Sequence, residues 1–167
     1  MPNTIENLKT AFAGESQANR KYLAFSKKAE KEGFPNIAKM FKAIAEAETV
    51  HALNHLRVMD GVKTTPENLE EAKGGEFYEI TKMYPDMVET AKKEGNKQGE
   101  RTLNFALQTE KIHEKIYQKA IETIKDGKDI SEKVFHVCPV CGCTFEGDDL
   151  PEKCPICGAK SELFMKI

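Results

Sequence analysis

The chain has 167 residues, with 25 Lys and Arg against 27 Asp and Glu and a formal net charge of −2. That balance argues against nucleic acid and against an anionic membrane surface as partners. Its longest apolar runs are only a few residues, far short of a membrane span. The N-terminus, MPNTIENLKTAFAGES, lacks the basic-then-apolar layout of a secretory leader, so a soluble cytoplasmic protein is expected.

Four long helices are expected in the first part. Helix A runs from about Thr4 to Glu32, with Ile5, Leu8, Phe12, Glu15 and Tyr22 on one stripe, and EGFP (32–35) ends it. Helix B runs from about Pro35 to Asp60, proline being acceptable in a first turn. A connection from Gly61 to Gly75 is long enough to be a crossover, and TPENLEE (65–71) within it can start a helix capped by Thr65. Helix C carries Glu76, Glu79, Met83 and Met87, with Pro85 expected to kink or locally open it. Helix D runs from about Lys97 to Lys125, with Leu103, Ala106, Glu110, His113 and Tyr117 along its stripe.

Two of these stripes contain polar residues where a core position is expected. In helix B, Ile37, Phe41 and Ile44 step along one face and lead directly to Glu48 and His51. Helix D repeats the pair as Glu110 and His113, each displaced by 62 residues, and Glu32-Gly33 recurs as Glu94-Gly95 at the same displacement. Gly14-Glu15 maps onto Gly75-Glu76 with a shift of 61. Two helical hairpins therefore each carry one Glu and one Glu-x-x-His. Residues three apart project from one helical face and can reach a shared ion. Burying such a set uncompensated costs several kcal/mol per ion. Carboxylates with imidazoles suit iron or manganese, and four carboxylates balance two divalent ions. The pattern matches that of ferritin-like di-iron and di-manganese bundles. Glu79, three residues after Glu76, can face the same centre as a fifth carboxylate.

The composition changes near residue 126. After the polar stretch DGKDISEK (126–133) come short β-prone runs, VFHV (134–137) and ELFMK (162–166). All five cysteines lie between 138 and 157, and four form the pairs CPVC (138–141) and CPIC (154–157). Clustered thiols in this context point to metal rather than to disulfides. A segment this short cannot bury an adequate core, and a metal on Cys138, Cys141, Cys154 and Cys157 supplies the missing stability. Zinc and iron both accept a tetrahedral four-sulfur site; zinc makes the segment a ribbon and iron makes it a one-electron carrier. Cys143 is left as a free thiol.

In sequence order, Gly14-Glu15, Glu48-x-x-His51, Glu76-x-x-Glu79 before MYP (83–85), Glu110-x-x-His113 and two CPxCG knuckles resemble the rubrerythrin family over essentially the whole chain. The resemblance implies a mainly α fold. A ferritin-like four-helix di-iron bundle is expected over residues 1–128 and a small rubredoxin-like β/loop domain over 134–167, its cysteines binding one iron. Glu48 and Glu110 are expected to bridge the two irons, with Glu15 and His51 on one and Glu76 and His113 on the other. His51 and Glu79 correspond to the family's redox-exchanging ligands. Tyr22 and Tyr84 correspond to tyrosines near the ligand carboxylates, while His55 matches no family ligand. The implied activity is reduction of hydrogen peroxide to water in oxidative-stress defence. Electrons arrive singly through the rubredoxin-like iron from an external rubredoxin or NAD(P)H-dependent reductase. Since a helix of some 28 residues spans about 40 Å, the two sites can be far apart in one chain, and a homodimer or larger assembly is expected. The competing readings are a ferroxidase or iron-handling protein, and a zinc-ribbon interaction protein.

Overall fold

The computed structural model describes residues 2–131 and 133–167; Met1 and Glu132, the latter in the polar 126–133 stretch, lie outside them. The chain forms two compact units, Met1–Lys63 and Thr64–Ile167. In the first, helix α1 (Thr4–Lys31) pairs with α2 (Pro35–Val58). Asn3 opens α1 by accepting from the Glu6 amide at 3.0 Å, while the Glu6 carboxylate accepts the Asn3 N–H at 2.8 Å.

The hairpin closes on small residues. Ala38, Ala45 and Ala52, seven apart, are the buried positions of α2. Small side chains let the backbones approach, so Asn19 on α1 donates to the Ala45 carbonyl (2.7 Å) and the Thr49 hydroxyl (2.8 Å). Ser26 likewise donates to the Ala38 carbonyl at 2.8 Å. The neighbouring apolar stripe, expected to be core, is not buried: Ile37 is 45% exposed and Ile44 40%. The closest approach is made at the alanines, while Phe41 of the stripe meets α1 through Tyr22 and Phe25, its ring 6.3 and 5.6 Å from theirs.

In the second unit, α3 (Thr65–Tyr78) follows α2 after only a few residues, so the expected 61–75 connection is mostly helix. Its cap is Thr64 rather than Thr65, with Glu67 accepting the Thr64 N–H at 3.1 Å. Helix B likewise stops at Val58, because Asp60 adopts a left-handed φ of 54°. The expected opening near Pro85 is a π-helical turn, Glu79–Met83, in which the Tyr84 amide donates to the Glu79 carbonyl five residues back. Helix α4 (Tyr84–Lys93) resumes with Pro85 in its first turn, where no donor is needed. Both α3 and α4 pack along α5 (Lys97–Lys125).

The cysteine-rich segment forms a three-stranded antiparallel sheet with β1 (Phe135–Val137) between β2 (Thr144–Glu146) and β3 (Met165–Lys166). His136 stands opposite Phe145 on one side and Lys166 on the other. Phe145 and Phe164 stack with ring centroids 5.0 Å apart. The segment docks on one face of α5. Thr109 donates to the Cys141 carbonyl at 2.9 Å, Ile112 packs against the cysteine cluster, and Lys119 pairs with Glu146 at 3.0 Å.

The repeated Glu-Gly pairs end α1 and α4 in the same way. Gly33 donates to Glu30 and Phe34 to Ala29; Gly95 donates to Lys92 and Asn96 to Ala91. Both glycines have positive φ, 84° and 69°, and a Cβ at either would meet nothing within 4 Å. Gly33→Ala and Gly95→Ala should therefore each cost about 1 kcal/mol through backbone strain alone. The check is the urea midpoint of each variant; an unchanged midpoint would contradict the assignment.

Candidate metal centres

Each helical unit brings together one carboxylate–histidine set. In the first, Glu15 on α1 and Glu48 and His51 on α2 offer ligand atoms within 4.8 Å of one another. His51 Nδ1 lies 2.9 Å from Glu48 Oε2 and 4.0 Å from Glu15 Oε1. In the second, Glu76 on α3 and Glu110 and His113 on α5 do the same. His113 Nδ1 lies 2.7 Å from Glu110 Oε2 and 3.7 Å from Glu76 Oε1. The sequence repeat is thus reproduced at the level of atoms, with Nδ1 of each histidine directed at the carboxylates.

The second set carries a surplus of negative charge. Burial, the charges of Glu110 and Glu79, and a hydrogen bond with Glu110 push the Glu76 carboxyl up to about 7. Glu79, in the π turn, is raised by burial and by Glu110, with His113 acting in the opposite direction. Tyr84 follows that turn, and burial together with Glu79, Glu110 and Glu76 raises its phenol as well. Glu79 and Tyr84 therefore accompany this set. Tyr22 stands in an aromatic cluster, its ring 6.2 Å from Phe25 and 6.3 Å from Phe41, and among the described residues its hydroxyl has no hydrogen-bond partner. His55 is half-buried on α2 and belongs to neither set.

Both sites fit metal. Glu76 Oε2 is buried without a hydrogen-bond partner among the described residues, which calls for a cation or a proton. The four sulfurs of Cys138, Cys141, Cys154 and Cys157 also lie within 4.8 Å of one another. Cys138 and Cys157 sulfurs are 3.5 Å apart, as are those of Cys141 and Cys154. Those separations are too long for disulfides and near the edge of about 3.8 Å that a tetrahedron with ~2.3 Å metal–sulfur bonds has. Two matching turns hold them. Cys138 donates to the Cys143 carbonyl and Gly142 to Cys138; Cys154 donates to Ala159 and Gly158 to Cys154. Gly142 and Gly158 take φ of 82° and 78°, which is why glycine follows each CPxC. Burial opposes ionisation of Cys154, but the Cys157 and Ile156 amides and neighbouring thiols outweigh it and bring the group to about 7. Cys143 lies outside the quartet, fully buried, its thiol pushed up to about 12 chiefly by burial. Its place matches Ala159 in the second turn, a position for a small buried side chain.

One contact had no sequence signal: His113 Nε2 lies 2.9 Å from the Thr144 hydroxyl in the cysteine-rich segment. A lone Thr after CPVCGC carries no pattern that distinguishes it from any strand residue.

For the metal-free protein, the Glu76 shift gives a pH dependence. A carboxyl held above its ordinary value of 4.5 favours the folded state while protonated, and that advantage is lost as pH rises through about 7. Stability of the metal-free chain should fall between pH 4.5 and 7, and Glu76→Gln should flatten that part of the profile. Urea midpoints across this range decide it; parallel profiles for the two proteins would refute the assignment.

Comparison with known proteins gives the family. Residues 6–121 match the Rubrerythrin family model, and residues 136–165 match "Rubrerythrin, rubredoxin-like domain". The chain is 40% identical to Rubrerythrin-2 of Clostridium acetobutylicum, covering 96% of this chain and 95% of that one. It is 36% identical to nigerythrin of Nitratidesulfovibrio vulgaris, with 97% and 85% covered. A solved structure of fully reduced, all-ferrous nigerythrin superposes with a TM-score of 0.59 at 34% identity, covering all of this chain and 88% of the other. The fold class is accordingly mainly α and ferritin-like, with a small C-terminal rubredoxin-like metal domain. Its cofactors are the irons of a di-iron carboxylate centre and of a four-cysteine site. With 40% identity over nearly its whole length and both family models matched in order, the chain belongs to the rubrerythrin family.

Proposed function

We propose that the chain is a non-haem di-iron peroxidase that reduces hydrogen peroxide to water in defence against oxidative stress. Family membership establishes the broader statement, an oxidoreductase family with di-iron chemistry in oxidative stress. The observation that carries the finer reading is the docking of the four-cysteine segment on α5, the helix that presents Glu110 and His113. Iron storage or ferroxidase chemistry has no use for a one-electron site built against a ligand histidine.

In this reading residues 1–128 act as the di-iron domain and 134–167 as the electron-delivering domain. Glu15, Glu48, His51, Glu76, Glu110 and His113 hold the iron pair, with His51 and Glu79 as alternative ligands at one position. When bound and reduced, the pair supplies two electrons together to the O–O bond, so no hydroxyl radical is released. Tyr84 keeps its phenolic proton at neutral pH, because burial and the surrounding carboxylates raise it. It can therefore donate at Oη to a departing oxygen. Glu79, raised in the same way, can hold a proton at a carboxylate oxygen. Tyr22 has the same proposed role from α1, where it now rests on Phe25 and Phe41.

Electrons enter at the four-cysteine iron from an external rubredoxin or NAD(P)H-dependent reductase. The working form is a homodimer or larger, a reading supported by the exposed apolar residues Ile37, Met40 and Ile44 on α2. Among the described residues no helix is long and apolar enough to cross a membrane; a cytoplasmic location is proposed.

The test is an anaerobic stopped-flow experiment. Iron-loaded, fully reduced protein mixed with less than one equivalent of hydrogen peroxide should rapidly regain the visible absorption of its oxidised iron–thiolate site. Colour that fails to return, with both sites loaded and reduced, would reject coupled peroxidase chemistry. Light scattering of the full chain should give at least twice the 18.8 kDa chain mass; a monomer mass would overturn the assembly.

A further inference from the structure

The two carboxylate–histidine sets repeat each other closely, yet their histidines differ on the far side of the ring. The His51 side chain is 55% exposed and, among the described residues, its Nε2 has no hydrogen-bond partner. The His113 side chain is 27% exposed, and its Nε2 meets Thr144 Oγ1 at 2.9 Å.

The hydroxyl's single proton can serve either neighbour, since Thr144 Oγ1 also lies 3.2 Å from the Gly142 carbonyl. Without a metal, His113 Nδ1 sits 2.7 Å from Glu110 Oε2, the distance of an Nδ1–H donor. A metal that replaces this proton at Nδ1 leaves the imidazole proton on Nε2, where Thr144 Oγ1 accepts it and turns its own proton to Gly142. Gly142 directly follows Cys141, whose carbonyl is held by Thr109 on the same helix. The loop is thus pinned to α5 at residues 109 and 113, one turn apart.

We propose that Thr144 is a positioning residue for the di-iron centre. Its hydroxyl fixes the Nε2–H tautomer of His113 and makes the Cys141–Thr144 loop a hydrogen-bonded joint, within one chain, between the four-cysteine site and the di-iron ligands. Resting on the peroxidase reading, loosening this joint would slow electron delivery between the two sites when iron is bound. The sequence allowed the two sites to lie far apart in a chain; Thr144 brings one ligand of the pair into direct contact with the four-cysteine loop.

The first test needs no turnover. In the full chain loaded with zinc and labelled with 15N-histidine, His113 should show a slowly exchanging Nε2–H resonance. Thr144→Val, which keeps the side-chain shape, should abolish that protection, and Thr144→Ser should restore it. In the iron-loaded chain, Thr144→Val should slow the return of iron–thiolate colour after peroxide by about tenfold, again rescued by Thr144→Ser. The spectrum of the four-cysteine site should stay unchanged, which separates this effect from loss of the small domain. A Thr144→Val protein with a protected His113 resonance and an unchanged rate overturns the proposal. If the unmodified protein itself regains no colour, the peroxidase reading falls, while the zinc-form spectrum still decides the role of Thr144.

Discussion

Compensation of clustered negative charge is the constraint on which the rest of this protein depends. Glu76 and Glu110 are directed at one another, with Glu79 adding charge nearby, where burial weakens the solvent's screening. A carboxylate in such company either keeps its proton or takes a cation. The orphaned Glu76 Oε2 and the raised Glu76 carboxyl express that demand. The four thiols pose the same problem in softer chemistry: sulfurs 3.5 Å apart, held by rigid turns, cannot all ionise without a metal between them.

Helix α5 carries both demands. Its face from Thr109 to Lys119 presents His113 to the carboxylates while anchoring the cysteine-rich segment through Thr109, Ile112 and Lys119. A 29-residue helix is stiff enough to hold two chemically different sites in a fixed relation, which loops could not do. The π turn at Glu79–Met83 serves the same unit. It absorbs the irregularity at Pro85 and holds Glu79 just before Tyr84, so a local cost in helix regularity coincides with the most charge-loaded part of the site.

The repeat makes the two halves alike and the appended segment makes them unlike. Glu15, Glu48 and His51 adopt nearly the geometry of Glu76, Glu110 and His113. Of these two histidines, only His113 has a partner on its outer nitrogen among the described residues.

Much of this was legible in the sequence because it is local. The i,i+3 spacing of Glu48 with His51 and of Glu110 with His113 puts each pair on one helical face whatever the fold around it. The CPxCG knuckles encode their own turns, since a glycine at positive φ follows each pair. Helix D was bounded correctly by its periodicity, and the repeated Glu-Gly pairs proved to be helix terminators. What failed depended on partners distant in sequence. Of the bulky stripe of α2, Phe41 packs on α1 but Ile37 and Ile44 are exposed, and the buried positions are Ala38, Ala45 and Ala52, because close backbone approach favours small residues. The ligand types, their spacing and the family were therefore determined by the sequence alone. Which atoms of His113 face the carboxylates, and that Thr144 holds the other side of its ring, was decided only by tertiary structure. A single hydrogen bond across 31 residues leaves no periodic trace in the chain.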